Sequence, residues 1–354
     1  MKYSINLDDA EFINLVNLSL GLYSPLKGFN TKKETENIIL HKKINNKDQW
    51  TYPILLNAKK KIILLNKEYF LIYRGNKVGN IKVNSLFKID KKKFCKKVFN
   101  TNSINHPTVR YIYNSPNNYI SGDIKVFKNY FKKDKNFGYN IFKINNKTFS
   151  NSAVFTTRNI CHLGHEHIHK KIIKSNKKLL ICIIQSEKNK FDPDLVIKSY
   201  RQLKNKKKLY KNIQIIKIYL PLIMAGPKEA FLQATYLNNL KCKYFIVGRD
   251  HAGFNNNYKK YDSQKIFNKL RSLKIKIIKT NEPFLCNNCK TVYFSNTEKC
   301  RCKLNLNKSI SSIDGKVIKK LLLQNNFDKV GKFLSSEVAS FCLKNIKKIK
   351  KFKG

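Results

Sequence analysis

Residues 155–170 read FTTRNICHLGHEHIHK, and the class of the fold turns on how they are parsed. VFTTRN (154–159) is a strand running into a loop, and EHIHKKIIK (166–174) has helical spacing. Between them, His162-Leu163-Gly164-His165 opens the helix. A strand that delivers Thr156, Thr157, Arg158 and Asn159 to a helix N-terminus suits a polyphosphate. The N-terminus offers N–H groups and the positive end of the helix dipole, Gly164 lets backbone approach, and two imidazoles can donate to phosphate oxygens.

The same alternation continues outward. LLICIIQ (179–185) reads as a buried strand, followed by a helix around 195–207 and the strand NIQIIKIYL (212–220). A helix at 227–239, the strand KYFIVG (243–248), a helix at 261–273 and the strand IKIIK (275–279) complete it. Apolar strands alternating with helices predict a parallel sheet covered on both faces. Upstream, the short apolar runs at 51–57, 61–66, 69–83 and 112–127 predict a β-rich domain over 1–145. The α/β domain is expected over 146–310, with a short helical segment at 311–354.

A second chemistry-bearing stretch lies at the end of the strand 243–248. Gly248-Arg249-Asp250-His251-Ala252-Gly253 puts small residues around three polar ones at a strand's carboxyl end, where open α/β sheets bind ligands. Arg249 and Arg158 suit a compact divalent oxyanion, because a guanidinium fork bonds two oxygens at once. Five of the seven His fall in these two stretches, at 162, 165, 167, 169 and 251. His167 and His169 lack the glycine context and are expected to face solvent. The i,i+4 pair His165 and His169 is a weaker metal candidate, since His167 stands where a zincin carries its general-base Glu.

The formal charge of +50 over 354 residues would ordinarily suggest nucleic acid as a partner. Only seven of the 72 basic residues are Arg, and the Lys and Asn runs cover the whole length. That pattern fits A/T-rich codon drift on a solvated surface better than a nucleic-acid footprint. Against that drift, four of the eight Ala sit in or near the second stretch, at 225, 230, 234 and 252. No window approaches the roughly 20 apolar residues of a membrane span, and the start MKYSINLDDAEF has no signal-peptide core. A cytoplasmic protein is expected. Of nine Cys, four form the pattern Cys286-x2-Cys289 and Cys300-x-Cys302, which reads as a structural Zn²⁺ knuckle of four thiolates with no open position.

Taken together these stretches resemble the sulfate adenylyltransferase (ATP sulfurylase) family. Thr156-Thr157-Arg158-Asn159-Ile160-Cys161-His162-Leu163-Gly164-His165 is similar to its Gln-Thr-Arg-Asn-Pro-x-His-x-Gly-His, and its Gly-Arg-Asp-His-Ala-Gly stands intact at 248–253. Ala-Gly-Pro-Lys-Glu-Ala (225–230), Tyr261-Asp262-Ser263-Gln264, GLYSPLKGF (21–29), WTYPILL (50–56) and His106-Pro107 also fit. The resemblance implies a PUA-like β domain followed by a Rossmann-like nucleotidyltransferase domain. It implies ATP and sulfate as substrates, adenosine 5′-phosphosulfate and pyrophosphate as products, Mg²⁺ carried with ATP, and a homo-oligomer. By carry-over, Arg158 and the Ala252 backbone would bind sulfate, with Thr156 and Thr157 beside them. Asn159, His162, Gly164 and His165 would hold the phosphates, and Gly248, Arg249, Asp250 and His251 would complete the nucleotide side. Some bacterial members carry three Cys and a His where the knuckle stands.

The chain departs from the family at defined places. Thr156 replaces a Gln, Ile160 a Pro, Gln233 and Leu237 a later His and Arg, and Leu222-Ile223-Met224 precede Ala-Gly-Pro without the usual basic residue. The family's Ser-Gly-Thr-Lys-x-Arg is reduced to Ile313-Asp314-Gly315-Lys316-Val317-Ile318. Three alternatives compete: an impaired sulfurylase-like scaffold, another His-x-Gly-His adenylyltransferase suggested by Ile310-Ser311-Ser312, and a basic zinc-ribbon nucleic-acid binder.

Overall fold

The computed structural model describes residues 3–59, 62–127, 149–186, 191–255, 257–294, 297–298, 300, 302, 310–313, 315–324 and 326–351. The domain boundary expected at 145/146 lies outside the described residues, as does Asp314. The chain forms two units, each assembled from three stretches. The first comprises 1–146, 219–242 and 249–277, and the second 147–218, 243–248 and 278–354.

The first unit is built on a five-stranded sheet of β1 (Ser4–Asn6), β2 (Leu56–Asn57), β3 (Glu68–Tyr73), β4 (Asn76–Phe87) and β5 (Tyr119–Val126), in the order β1-β3-β4-β5-β2. β1 runs parallel to β3, and the remaining pairs are antiparallel. β3 alternates exposed and inward residues, so Tyr69, Leu71 and Tyr73 enter the core. Phe12 stacks on Tyr73 with ring centroids 3.8 Å apart, and Tyr23 meets Trp50 edge-on.

Helices are more numerous here than the apolar runs suggested. Before residue 127 they are α1 (Asp9–Ser19), α2 (Lys32–His41), α3 (Lys91–Phe99) and α4 (Pro107–Asn114). Asp8 and Thr31 close capping boxes with Glu11 and Glu34, and Asp90 caps α3. The strand expected over 112–127 therefore begins only at Tyr119. His106 caps α4 by accepting the Thr108 and Val109 N–H groups, and Pro107 sits at its first position. Residues 62–66 of the run KIILLN form no strand, and Ile62, Leu64 and Leu65 are exposed.

The second unit carries the sheet β10-β9-β6-β7-β8, formed by β6 (Ser152–Thr157), β7 (Lys178–Gln185), β8 (Gln214–Tyr219), β9 (Tyr244–Val247) and β10 (Lys276–Lys279). β6 is parallel to both of its neighbours, β7 and β9. All six β6 residues are buried, as are the six central residues of β7. Burial on both faces explains why these strands are continuously apolar. α5 (Leu163–Lys174) and α6 (Pro193–Lys206) supply the covering helices and share one core with β6 and β7, including Phe155, Ile168, Ile172, Leu195, Tyr200 and Tyr210. α7 (Pro227–Asn239) and α8 (Asp262–Lys269) belong to the first unit, and α8 is shorter than the 261–273 expected because it ends at Leu270 in extended conformation.

A three-stranded antiparallel sheet, β12-β11-β13, is made by β11 (Pro283–Cys286), β12 (Val292–Phe294) and β13 (Ile310–Ser312). The chain then runs through α9 (Gly315–Leu323), α10 (Phe327–Gly331), α11 (Ser336–Lys344) and α12 (Ile346–Lys351), the helical segment expected here. Among the described residues no helix is long and apolar enough to cross a membrane.

Candidate functional site

In the second unit the site grows from the end of β6. Thr156 and Thr157 are buried, and Arg158 and Asn159 are half-buried where the strand gives way to a loop. The Asn159 N–H donates to the Thr157 hydroxyl at 3.1 Å, which tightens that turn. Ile160 and Cys161 point into the core. His162 then caps α5, its Nδ1 accepting the His165 N–H at 3.2 Å. An acceptor nitrogen carries no proton, so the His162 proton sits on Nε2.

The His162 and His165 rings stack with centroids 3.7 Å apart. Gly164 sits in a crowded place. A Cβ on it would lie 3.0 Å from Pro283 Cγ and 3.2 Å from His162 Nδ1. The glycine thus lets the His162 ring lie over the first turn, which adds to the role read for it in the sequence.

His165 is anchored from behind. Its Nδ1 lies 3.1 Å from the hydroxyl of Tyr200, which is fully buried on α6. Desolvation holds the His165 imidazole well below the usual histidine range, and the rings of His162 and His169 add to the effect.

His167 and His169 do not face solvent as expected. His169 is completely buried, with Nδ1 3.0 Å from the Tyr210 hydroxyl, and desolvation followed by His162 lowers it to about 3. Its spacing from His165 and from Ile172 places it on the inward stripe of α5. His167 pairs with Glu298 at 2.8 Å, and Lys171 reaches the same carboxylate.

In the first unit the chain after Gly248 forms a tight loop. The Arg249 carbonyl accepts the Tyr261 N–H at 2.8 Å, and the His251 carbonyl accepts the Ser263 hydroxyl at 2.8 Å. Asp250 folds its carboxylate against Gly253, leaving no room for a Cβ there. Ala252 has φ of +57°, and its carbonyl accepts the Gly226 N–H at 2.9 Å. Ala-Gly-Pro and Asp-His-Ala-Gly are therefore stitched to one another. Gly226 itself has φ of +51° and lies against the ring of Tyr258.

Met224, also left-handed at φ +61°, is held by Glu229, whose Oε2 accepts the N–H groups of Met224 and Ala225. Lys228 donates to the Val98 carbonyl at 3.1 Å, and desolvation, with Lys42 adding, lowers it to about 8.

The sulfur atoms of Cys286, Cys289, Cys300 and Cys302 all lie within 4.8 Å of one another. Cys286 and Cys302 are 3.6 Å apart, and Cys289 and Cys300 are 3.3 Å apart. Four thiolates around one tetrahedral Zn²⁺ would sit about 3.8 Å from each other, so this group can hold a metal. Thr291, hydrogen bonded to Cys289 at 2.8 Å, draws that thiol down to about 5.

The structure thus gathers Thr156, Thr157, Arg158, Asn159, His162, Gly164 and His165 around one strand-to-helix turn. Arg249, Asp250, His251 and Ala252 form a second loop in the other unit. Two supporting residues, Tyr200 on α6 and Tyr210 in the turn after it, had no signal in the sequence, and Glu229 was legible only as part of Ala-Gly-Pro-Lys-Glu-Ala.

A family model described as ATP-sulfurylase matches residues 142–344, and one described as a PUA-like domain matches residues 2–129. The chain is 29% identical over 297 residues to the sulfate adenylyltransferase of Pyrococcus abyssi (strain GE5 / Orsay), covering 80% of this chain and 77% of that protein. It is 29% identical over 300 residues to that of Carboxydothermus hydrogenoformans, with 80% and 78% covered. Among solved structures, the hexameric APS kinase from Thiobacillus denitrificans superposes with a TM-score of 0.66 at 12% identity. That match covers 97% of this chain, which spans 63% of the other, and it is a likeness of fold.

Proposed function

The chain belongs to the ATP-sulfurylase family, and from that premise we propose that it is a sulfate adenylyltransferase, joining sulfate to the α-phosphoryl group of MgATP with release of pyrophosphate. A sulfate oxygen attacks the α-phosphorus in line. The bond from that phosphorus to the bridging oxygen breaks, and pyrophosphate leaves with the electron pair. Sulfate is fully ionised at neutral pH, so the attacking group needs no general base, and catalysis reduces to positioning and charge neutralisation.

In this reading Arg158 and the Ala252 backbone are the sulfate ligands that each unit offers, and Thr156 and Thr157 stand beside Arg158 with hydroxyls in place of a longer amide. Asn159 and the Nε2–H of His162 donate to phosphate oxygens at the N-terminus of α5. His165, kept neutral by its surroundings, adds a second ring without an additional buried charge. Arg249, Asp250 and His251 flank the nucleotide, with Gly248 leaving room at the strand end.

The observation that carries the proposal is the His162 cap. One imidazole nitrogen is spent on the helix backbone, so the other is fixed as a donor at the positive end of the helix dipole. The reading extends to a cytoplasmic homo-oligomer in which the four-Cys group binds Zn²⁺ as a structural staple.

The deciding experiment is pyrophosphate release from MgATP with and without sulfate, beside Arg158→Ala and Arg249→Ala. Sulfate-dependent release that each substitution lowers by about a hundredfold or more is expected, as for loss of a charge-neutralising group. A folded protein with no sulfate-dependent release would favour the scaffold reading.

A further inference from the structure

Glu229, Gln233 and His251 form a directional chain of hydrogen bonds in the first unit. Glu229 and Gln233 are one turn apart on α7 and only 2% and 3% exposed. Glu229 Oε2 accepts the Met224 and Ala225 N–H groups at 2.5 and 3.2 Å, and Oε1 lies 3.1 Å from the Gln233 amide nitrogen. A carboxylate only accepts, so Gln233 must turn its NH₂ towards Glu229 and its carbonyl the other way. That carbonyl lies 2.8 Å from His251 Nε2. It too only accepts, so the nitrogen facing it must carry hydrogen. The Ser263 hydroxyl pins the His251 backbone at the same place.

We propose that Gln233 is a positioning residue that keeps Nε2 of His251 protonated and so fixes the tautomer and orientation of that ring on the nucleotide side. The proposal rests on the reading of His251 as a nucleotide-side residue. Gln233 stands where the family carries a His, and in this chain the amide does a specific job. Unlike an imidazole it cannot change tautomer, so the polarity set by the buried Glu229 is passed to His251 in one direction only.

The test uses the full chain and two variants. Gln233→Met keeps the length and removes both polar ends, and Gln233→Glu, which must share one proton with the buried Glu229, keeps an oxygen facing His251. Two-bond nitrogen–proton spectra of the seven histidines, with the His251 signals assigned by His251→Asn, report which ring nitrogen is protonated without any substrate.

In the wild type, His251 is expected in the Nε2–H form. In Gln233→Met that preference is lost, and kcat falls about tenfold with KM for MgATP unchanged, the mark of an orientation held in the transition state. Gln233→Glu restores both. Wild-type His251 in the Nδ1–H form overturns the proposal even if neither variant folds. So do unchanged spectra and kcat in a folded Gln233→Met. Absence of sulfate-dependent turnover in the wild type would overturn the functional reading instead, and the nitrogen spectra would still decide the role of Gln233.

Discussion

Gly315, at the start of α9, lies directly against the side chain of Asn159. A Cβ placed on Gly315 would sit 2.8 Å from Asn159 Cγ and 2.9 Å from its Nδ2. The helical C-terminal segment thus sets the pose of a candidate phosphate-binding amide. Gly315→Ala should push that amide aside, lowering kcat/KM for MgATP by about tenfold, the worth of one misplaced hydrogen bond. Alanine is the better helix residue, so thermal stability should hold or rise. Activity and stability moving in opposite directions is the expected signature. Unchanged activity would remove Asn159 from the site.

Tyr200 and Tyr210 make the same bond to two histidines one turn apart, 3.1 Å to His165 and 3.0 Å to His169. Only His165 is assigned to the substrate. Tyr200→Phe should therefore lower turnover about tenfold, while Tyr210→Phe leaves it within about twofold. Each should cost about 1 kcal/mol in urea unfolding. Equal kinetic effects in the two variants would mean that the hydroxyls serve only packing.

His169 gives the fold a defined acid sensitivity. Its folded value is about 3 and its ordinary value 6.5, so between these the unfolded chain binds more protons than the folded one. Stability must then fall as pH drops below 6.5, by about 2 kcal/mol at pH 5 from this group alone. His169→Phe, which cannot titrate, should flatten the urea-unfolding free energy between pH 8 and pH 5 by that amount. A wild-type slope that survives the substitution would assign the effect to another group.

The four-Cys group is tied to α5 through Glu298, which takes both His167 and Lys171. One Zn²⁺ per chain is expected by elemental analysis, and Cys289→Ser should abolish it. Loss of the metal should lower the melting temperature and also weaken turnover, because the clamp on the histidine helix loosens. Glu298→Gln should reproduce the kinetic loss with zinc still bound. If it does not, the knuckle and the helix are independent.

Much of the second unit was legible because buried parallel strands announce themselves. LLICIIQ can hardly be anything else, and β7 begins one residue and β6 two residues before the expected runs. The first unit was harder to read. α2 and α3 are short and carry Lys at two and five positions, and the starts of α1, α2 and α3 are set by the caps Asp8, Thr31 and Asp90, which apolar periodicity does not register. His169 was misread for a related reason. In a chain crowded with Lys, a histidine among lysines looks like surface, yet its spacing from His165 and Ile172 already put it on the inward face. Tyr200 acts through partners distant in sequence and leaves no pattern, whereas Glu229 stands in a legible stretch but its hold on the Met224 and Ala225 N–H groups does not show there.

The two units are interleaved along the chain, which passes from one to the other five times between residues 146 and 278. During synthesis on the ribosome, the first unit cannot close until Ile277 has emerged, and the second waits for the stretch beginning at Ile278. Neither can be cut out as a contiguous fragment. A fragment ending near residue 146 would lack α7 and α8, and with them the loop that bears His251. Long-range closure of this kind slows folding. It also makes a nascent chain more dependent on chaperones than two successive beads of the same size would be.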